Sequence, residues 1–214
     1  MKKSKVGRNS PTKNVFSVFK QNKKEDNSMK NSISEKTKKL SQIAMIAAIY
    51  AAISFANFFI SFGQIQFRVS EMLTILPVFT GMAVPGLTLG CVISNLVGFF
   101  CGANPLGLID AIVGSTATLI SAILTYYIGK SDKKWIKYIF APLPPVIVNA
   151  IIIGFEVTFA FNGINSPTSV YLTNMGLILL GQATICYGVG VPLMMILQKN
   201  NLWQKIFSGN KKIL

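Results

Sequence analysis

The stretch GQIQFRVSEMLTILP, residues 63–77, decides how this chain is read. It sets Arg68 and Glu71 between two apolar runs, and no other charge lies between Lys39 and Asp110. A water-soluble domain carries about 25% charged residues. Here only 13% of 214 residues are charged and 51% are hydrophobic. Two ionisable groups in such a setting are costly, because a charge in hydrocarbon has to find a partner or a polar cavity. The chain is therefore a membrane protein, and Arg68 and Glu71 mark a place where the bundle interior is polar.

The charges outside that stretch give the topology. Twelve of the 21 basic residues fall in the first forty positions, four in 130–137 and four from Lys199 onward, with Arg68 left over. A bilayer crossing takes about 20 apolar residues as a helix. Six spans fit the pattern: 40–62, 66–84, 87–100, 106–128, 138–161 and 170–197, with Pro85-Gly86 read as the break between the second and third. Placing both termini inside leaves every lysine on the cytoplasmic side and none in the opposite loops near Gln64, Asn104 and 162–169, as the positive-inside rule requires. The expected architecture is an all-α membrane protein with six transmembrane helices and both termini cytoplasmic. Residues 1–40 read as a basic, disordered cytoplasmic tail, 41–198 as the transmembrane substrate-binding domain, and 199–214 as a basic cytoplasmic tail.

Several function classes drop out. The net charge of +14 belongs to flanks of apolar blocks and not to a nucleic-acid surface. The chain contains no histidine, so the usual general base and the commonest metal ligand are missing. Cys91, Cys101 and Cys186 lie in apolar segments without a CxxC and read as small buried hydrophobes. No P-loop pattern occurs, so ATP hydrolysis by the chain itself is not expected. Neither catalytic residues, nor a metal, nor a cofactor is expected.

What remains is binding. Arg68, Glu71, Asp110 and Glu156 are the ionisable groups inside the spans, and the topology sets them at similar depth toward the outer face. Asn95, Asn149 and Gln182 add amides to the same candidate site, with Gln64, Gln66, Asn104 and Asn162 also polar nearby. Arg68 and Glu71, three apart, either pair on one helix face or face a ligand. Asp110 and Glu156 have no obvious cation, which suits a ligand with an amine or ring N–H groups. On the first span, Ala44, Ala48 and Ala52 recur every four residues, a spacing that lets another helix approach closely, inside the bundle or from a partner. GLTLG, residues 86–90, has the same spacing and reads as internal packing.

Four stretches in order, GQIQFRVSEMLTILP, GLTLGCVISNL, DAIVGSTATLISAI and PPVIVNAIIIG, make residues 41–198 resemble the QueT family. The resemblance implies an S component of an energy-coupling factor (ECF) transporter. Such a subunit would capture a deazaguanine queuosine precursor outside and release it inside, with ATP hydrolysed by partner subunits. It also implies that the alanine face of the first span docks on a transmembrane coupling subunit. The chain departs from the family pattern at Gly181-Gln182, where an acidic residue is expected after the glycine. The competing reading is an ion- or proton-coupled secondary transporter of a small polar metabolite, in which Glu71, Asp110 or Glu156 relays protons. No inverted repeat between the halves supports it.

Overall fold

A computed structural model of the protein describes residues 11–57, 68–163, 165–199 and 202–207. Gln64, Gln66, the loop expected beside them, and residues 1–10 and 208–214 of the two tails lie outside the described residues. Every regular element among the described residues is helical. Helix α1 is Pro11–Ala56, α2 Ala83–Phe100, α3 Gly107–Gly129, α4 Lys134–Phe140, α5 Leu143–Asn162 and α6 Thr168–Ile185. A 3₁₀ helix, Val69–Val78, precedes α2, and a π-helical turn, Cys186–Gly190, joins α6 to α7, Val191–Lys199. Leu202–Phe207 forms α8. Helix α1 begins at Pro11, within the stretch read above as a tail.

Five helical stretches are long and apolar enough to cross a bilayer: Asn31–Ala56, Ala83–Phe100, Gly107–Gly129, Lys134–Asn162 and Thr168–Lys199. The expected second span departs from this. Its described part is a 3₁₀ helix of 10 residues, which at about 2.0 Å per residue is shorter than the roughly 30 Å hydrocarbon core. The break also moves. Residues after Val78 form a turn and α2 starts at Ala83, so Pro85-Gly86 lies inside a helix and not between two spans. Pro85 falls in the first turn of α2, where backbone N–H groups have no intrahelical acceptor and proline therefore sacrifices no hydrogen bond.

Within the unit 42–214, α2 packs on α3, α3 on α5 and α5 on α6. The 3₁₀ helix runs inside this ring, against α3 and the π-helical turn, and Ser70, Glu71 and Leu73–Pro77 are all buried. The 42–56 part of α1 lies on α2, and glycines set the distance. A Cβ added to Gly90 would stand 2.7 Å from Tyr50 Cβ, and one on Gly86 would stand 2.9 Å from Ile46 Cβ. GLTLG thus serves internal packing, as read from the sequence. The contact buries Ile46, Ala47, Tyr50, Ala51 and Ser54 and leaves Ala44, Ala48, Ala52 and Ala56 exposed. The two alanine registers of α1 therefore do different work, one facing into the bundle and the other away from it.

Candidate functional site

The site begins at Arg68, the residue before the 3₁₀ helix. Its backbone is extended, with φ −77° and ψ 92°. It therefore does not stand one helical turn above Glu71, and the expected i,i+3 pairing of these two charges does not form. The side chain crosses instead to the first turn of α3, where Arg68 Nη2 donates to Asp110 Oδ2 at 2.7 Å. Asp110, which the sequence left without a cation, is thus the partner of Arg68. Asn104 Nδ2 donates to the same Oδ2 at 2.8 Å. Asn95 Nδ2, from α2, donates to the Asp110 backbone carbonyl at 2.9 Å and ties α2 to α3. Cys91 Sγ lies 3.6 Å from Arg68 Nη1. Asp110 is completely buried and Arg68 is 5% exposed, so neither charge is relieved by water.

Glu71 turns the other way. Tyr50 Oη on α1 donates to Glu71 Oε1 at 2.7 Å, and Glu71 Oε2 has no hydrogen-bond partner. Tight winding brings residues three apart into line, and Thr74 Oγ1 donates back to the Glu71 carbonyl at 2.6 Å. Cys186, opening the π-helical turn, lies with its sulfur 3.8 Å from that same carbonyl. The two irregular helices therefore meet at Glu71.

A cavity opens here, with about 200 Å³ free of protein atoms, lined by Arg68, Glu71, Asn149, Ile153, Ile178 and Gln182. Asn149 and Ile153 come from α5, Ile178 and Gln182 from α6, and Arg68 and Glu71 from the 3₁₀ helix and its approach. The apolar surface is supplied by two isoleucines and the polar groups are few and convergent, as in sites that hold small organic ligands. Glu156 follows Ile153 by three residues, and so lies on the same face of α5. It is 5% exposed, stands within electrostatic reach of Asp110 and Arg68, and neither of its oxygens has a hydrogen-bond partner.

Of the residues singled out in the sequence, Arg68, Glu71, Asn149 and Gln182 line one cavity, while Asp110, Asn95 and Glu156 stand behind or beside it. The reading missed Tyr50, Ile153 and Ile178. Tyr50 carried a signal, since it is the single hydroxyl-bearing ring within the alanine-rich run IAMIAAIYAAISFA, residues 43–56. A buried tyrosine hydroxyl usually has a partner. The isoleucines carried none, being two among many apolar residues.

Comparison with known proteins adds three findings. Residues 40–199 match the model of the family described as QueT transporter. A protein of Lactococcus lactis subsp. cremoris named queuosine precursor transporter QueT is 35% identical over 105 residues, which cover 47% of this chain and 58% of that relative. The match thus spans little more than half of the relative's length. No solved structure matches the chain.

Proposed function

This chain belongs to the QueT transporter family, a family of transporters and not of enzymes, and we propose that it is the substrate-binding membrane subunit of an ECF-type importer. It captures a deazaguanine queuosine precursor from outside and delivers it inside, the relative named above being a queuosine precursor transporter. ATP is hydrolysed by partner ATPase subunits joined to the chain through a transmembrane coupling subunit.

One observation carries this reading. Arg68, Glu71, Asn149 and Gln182, from separate elements, converge on one small cavity whose remaining lining is Ile153 and Ile178. A flat base offers apolar faces and an edge of N–H donors and carbonyl acceptors. The isoleucines suit the faces, while the amides, carboxylate and guanidinium suit the edge. Asp110 and Asn95 orient Arg68 and the start of α3 rather than touch the base. Glu156 contributes its charge from the same face of α5.

The remaining assignments follow from charge and exposure. The segment bearing the 3₁₀ helix counts as the second of six crossings, with both termini cytoplasmic, because that arrangement leaves every lysine inside. The chain resides in the cell membrane as a multi-pass protein. Ala44, Ala48 and Ala52, exposed on α1, form the face on which the coupling subunit docks, since small residues admit a second helix at short range.

Uptake of a radiolabelled deazaguanine base into vesicles tests the proposal. Vesicles containing the chain with coupling and ATPase subunits are expected to accumulate the base when ATP is supplied, whereas the chain alone binds it without transport. Accumulation by the chain alone, driven by an ion gradient, would establish a secondary transporter instead.

A further inference from the structure

The buried charges at this site do not balance, and we infer that the cavity selects a ligand carrying a primary ammonium group over its neutral counterpart. The inference rests on the transport reading above and narrows its substrate to deazaguanine bases bearing an aminomethyl substituent. Among the described residues the buried charged side chains are Arg68, Glu71, Asp110 and Glu156, three acids against one base. Arg68 is engaged by Asp110 at 2.7 Å, so Glu71 and Glu156 have no protein cation of their own.

The unpaired charge is also directed. Glu71 lines the cavity and is 1% exposed, with Oε1 taken by Tyr50 and Oε2 unpartnered. Glu156 is 5% exposed with both oxygens unpartnered, and it follows Ile153, another lining residue, on one face of α5. An ionised carboxylate in a low-dielectric interior needs hydrogen-bond donors and a counter-charge. An ammonium group supplies both, with three N–H donors on one positive centre. A hydroxyl supplies a single donor and no charge, and a nitrile supplies neither. In this arrangement Glu71 Oε2 makes the contact and Glu156 adds to the negative field. Arg68, held by Asp110, is left to face the base's carbonyl edge.

The full chain in lipid nanodiscs, titrated with the aminomethyl, hydroxymethyl and cyano forms of deazaguanine, tests this. The aminomethyl base is expected to bind about tenfold or more tightly than the hydroxymethyl base, as for a charge-assisted against a neutral hydrogen bond. Glu71→Gln is expected to bring the three affinities within about threefold of one another. Because Glu71 also holds Tyr50, Glu156→Gln serves as the second variant, and it should reduce the preference for the aminomethyl base while leaving the affinity of the cyano base unchanged. Equal binding of all three bases by the unaltered protein overturns the charge selection and leaves the transport reading intact. Benzylamine and benzyl alcohol, compared by thermal shift, separate the two claims further. If no base binds but benzylamine alone stabilises the protein, charge selection stands and the substrate assignment falls. If neither amine nor base binds, both fall.

Discussion

Arg68 and Asp110, 42 residues apart in the chain, meet at 2.7 Å in a completely protein-enclosed ion pair that joins the approach of the 3₁₀ helix to the first turn of α3. Removing one partner of such a pair strands the other. Asp110→Ala is therefore expected to cost about 3–5 kcal/mol of stability. Replacing both residues with apolar ones of similar volume, Arg68→Met with Asp110→Leu, should restore most of that loss while abolishing precursor binding. Thermal unfolding in nanodiscs, with a binding assay on the same samples, checks both parts. A double variant as unstable as the single one would show that the pair does more than satisfy itself.

Tyr50 links α1 to the site through one hydrogen bond to Glu71 Oε1 at 2.7 Å. Tyr50→Phe keeps the ring and deletes the donor, leaving a buried acceptor unsatisfied. The expected cost is about 1–3 kcal/mol, with precursor affinity reduced because Glu71 is no longer held in place. Isothermal titration on the purified variant decides this; unchanged affinity would mean that Tyr50 only fills space.

Gly90 is where α1 and α2 come closest. A methyl group there would stand 2.7 Å from Tyr50 Cβ and 3.0 Å from the Ala47 carbonyl oxygen. Gly90→Ala should force the helices apart and destabilise the protein by about 1–3 kcal/mol, as overpacking does. Since Tyr50 moves with α1, precursor binding should weaken too. A melting temperature equal to that of the unaltered chain would show that α1 can shift without loss.

Ala48 lies on the exposed face of α1 and so outside the packing that Gly90 governs. Ala48→Trp is expected to leave folding and precursor affinity unchanged, since lipid accommodates a large apolar side chain. Close approach of a partner helix would be lost, and with it co-purification with the coupling subunit and uptake. Retained co-purification would place the docking face elsewhere.

Much of this protein can be read from residue types and their order. The scarcity of charge and the grouping of lysines at the ends of apolar blocks require a helical membrane protein, because hydrocarbon offers no partner to a backbone amide or a charge. The same scarcity made Arg68, Glu71, Asp110 and Glu156 conspicuous, since each carries a cost that only a polar interior can offset. Asn149 and Gln182 stood out for the same reason, and the cavity they share with Arg68 and Glu71 was approached from composition alone.

Pairing was not legible. Residue spacing assigned Arg68 to Glu71, on the assumption of a regular helix through residues 66–84. That stretch instead holds a short 3₁₀ helix with Arg68 extended before it, so the guanidinium reaches α3. Hydropathy reports how apolar a segment is but not how tightly it winds or where it breaks. The two alanine registers of α1 likewise look alike in sequence, and only the close approach of Gly86 and Gly90 selects which one is buried. Residue types determined that this chain would be a membrane bundle with costly charges inside it. Contacts between residues far apart in the chain decided which charge neutralises which, and left Glu71 and Glu156 without a cation.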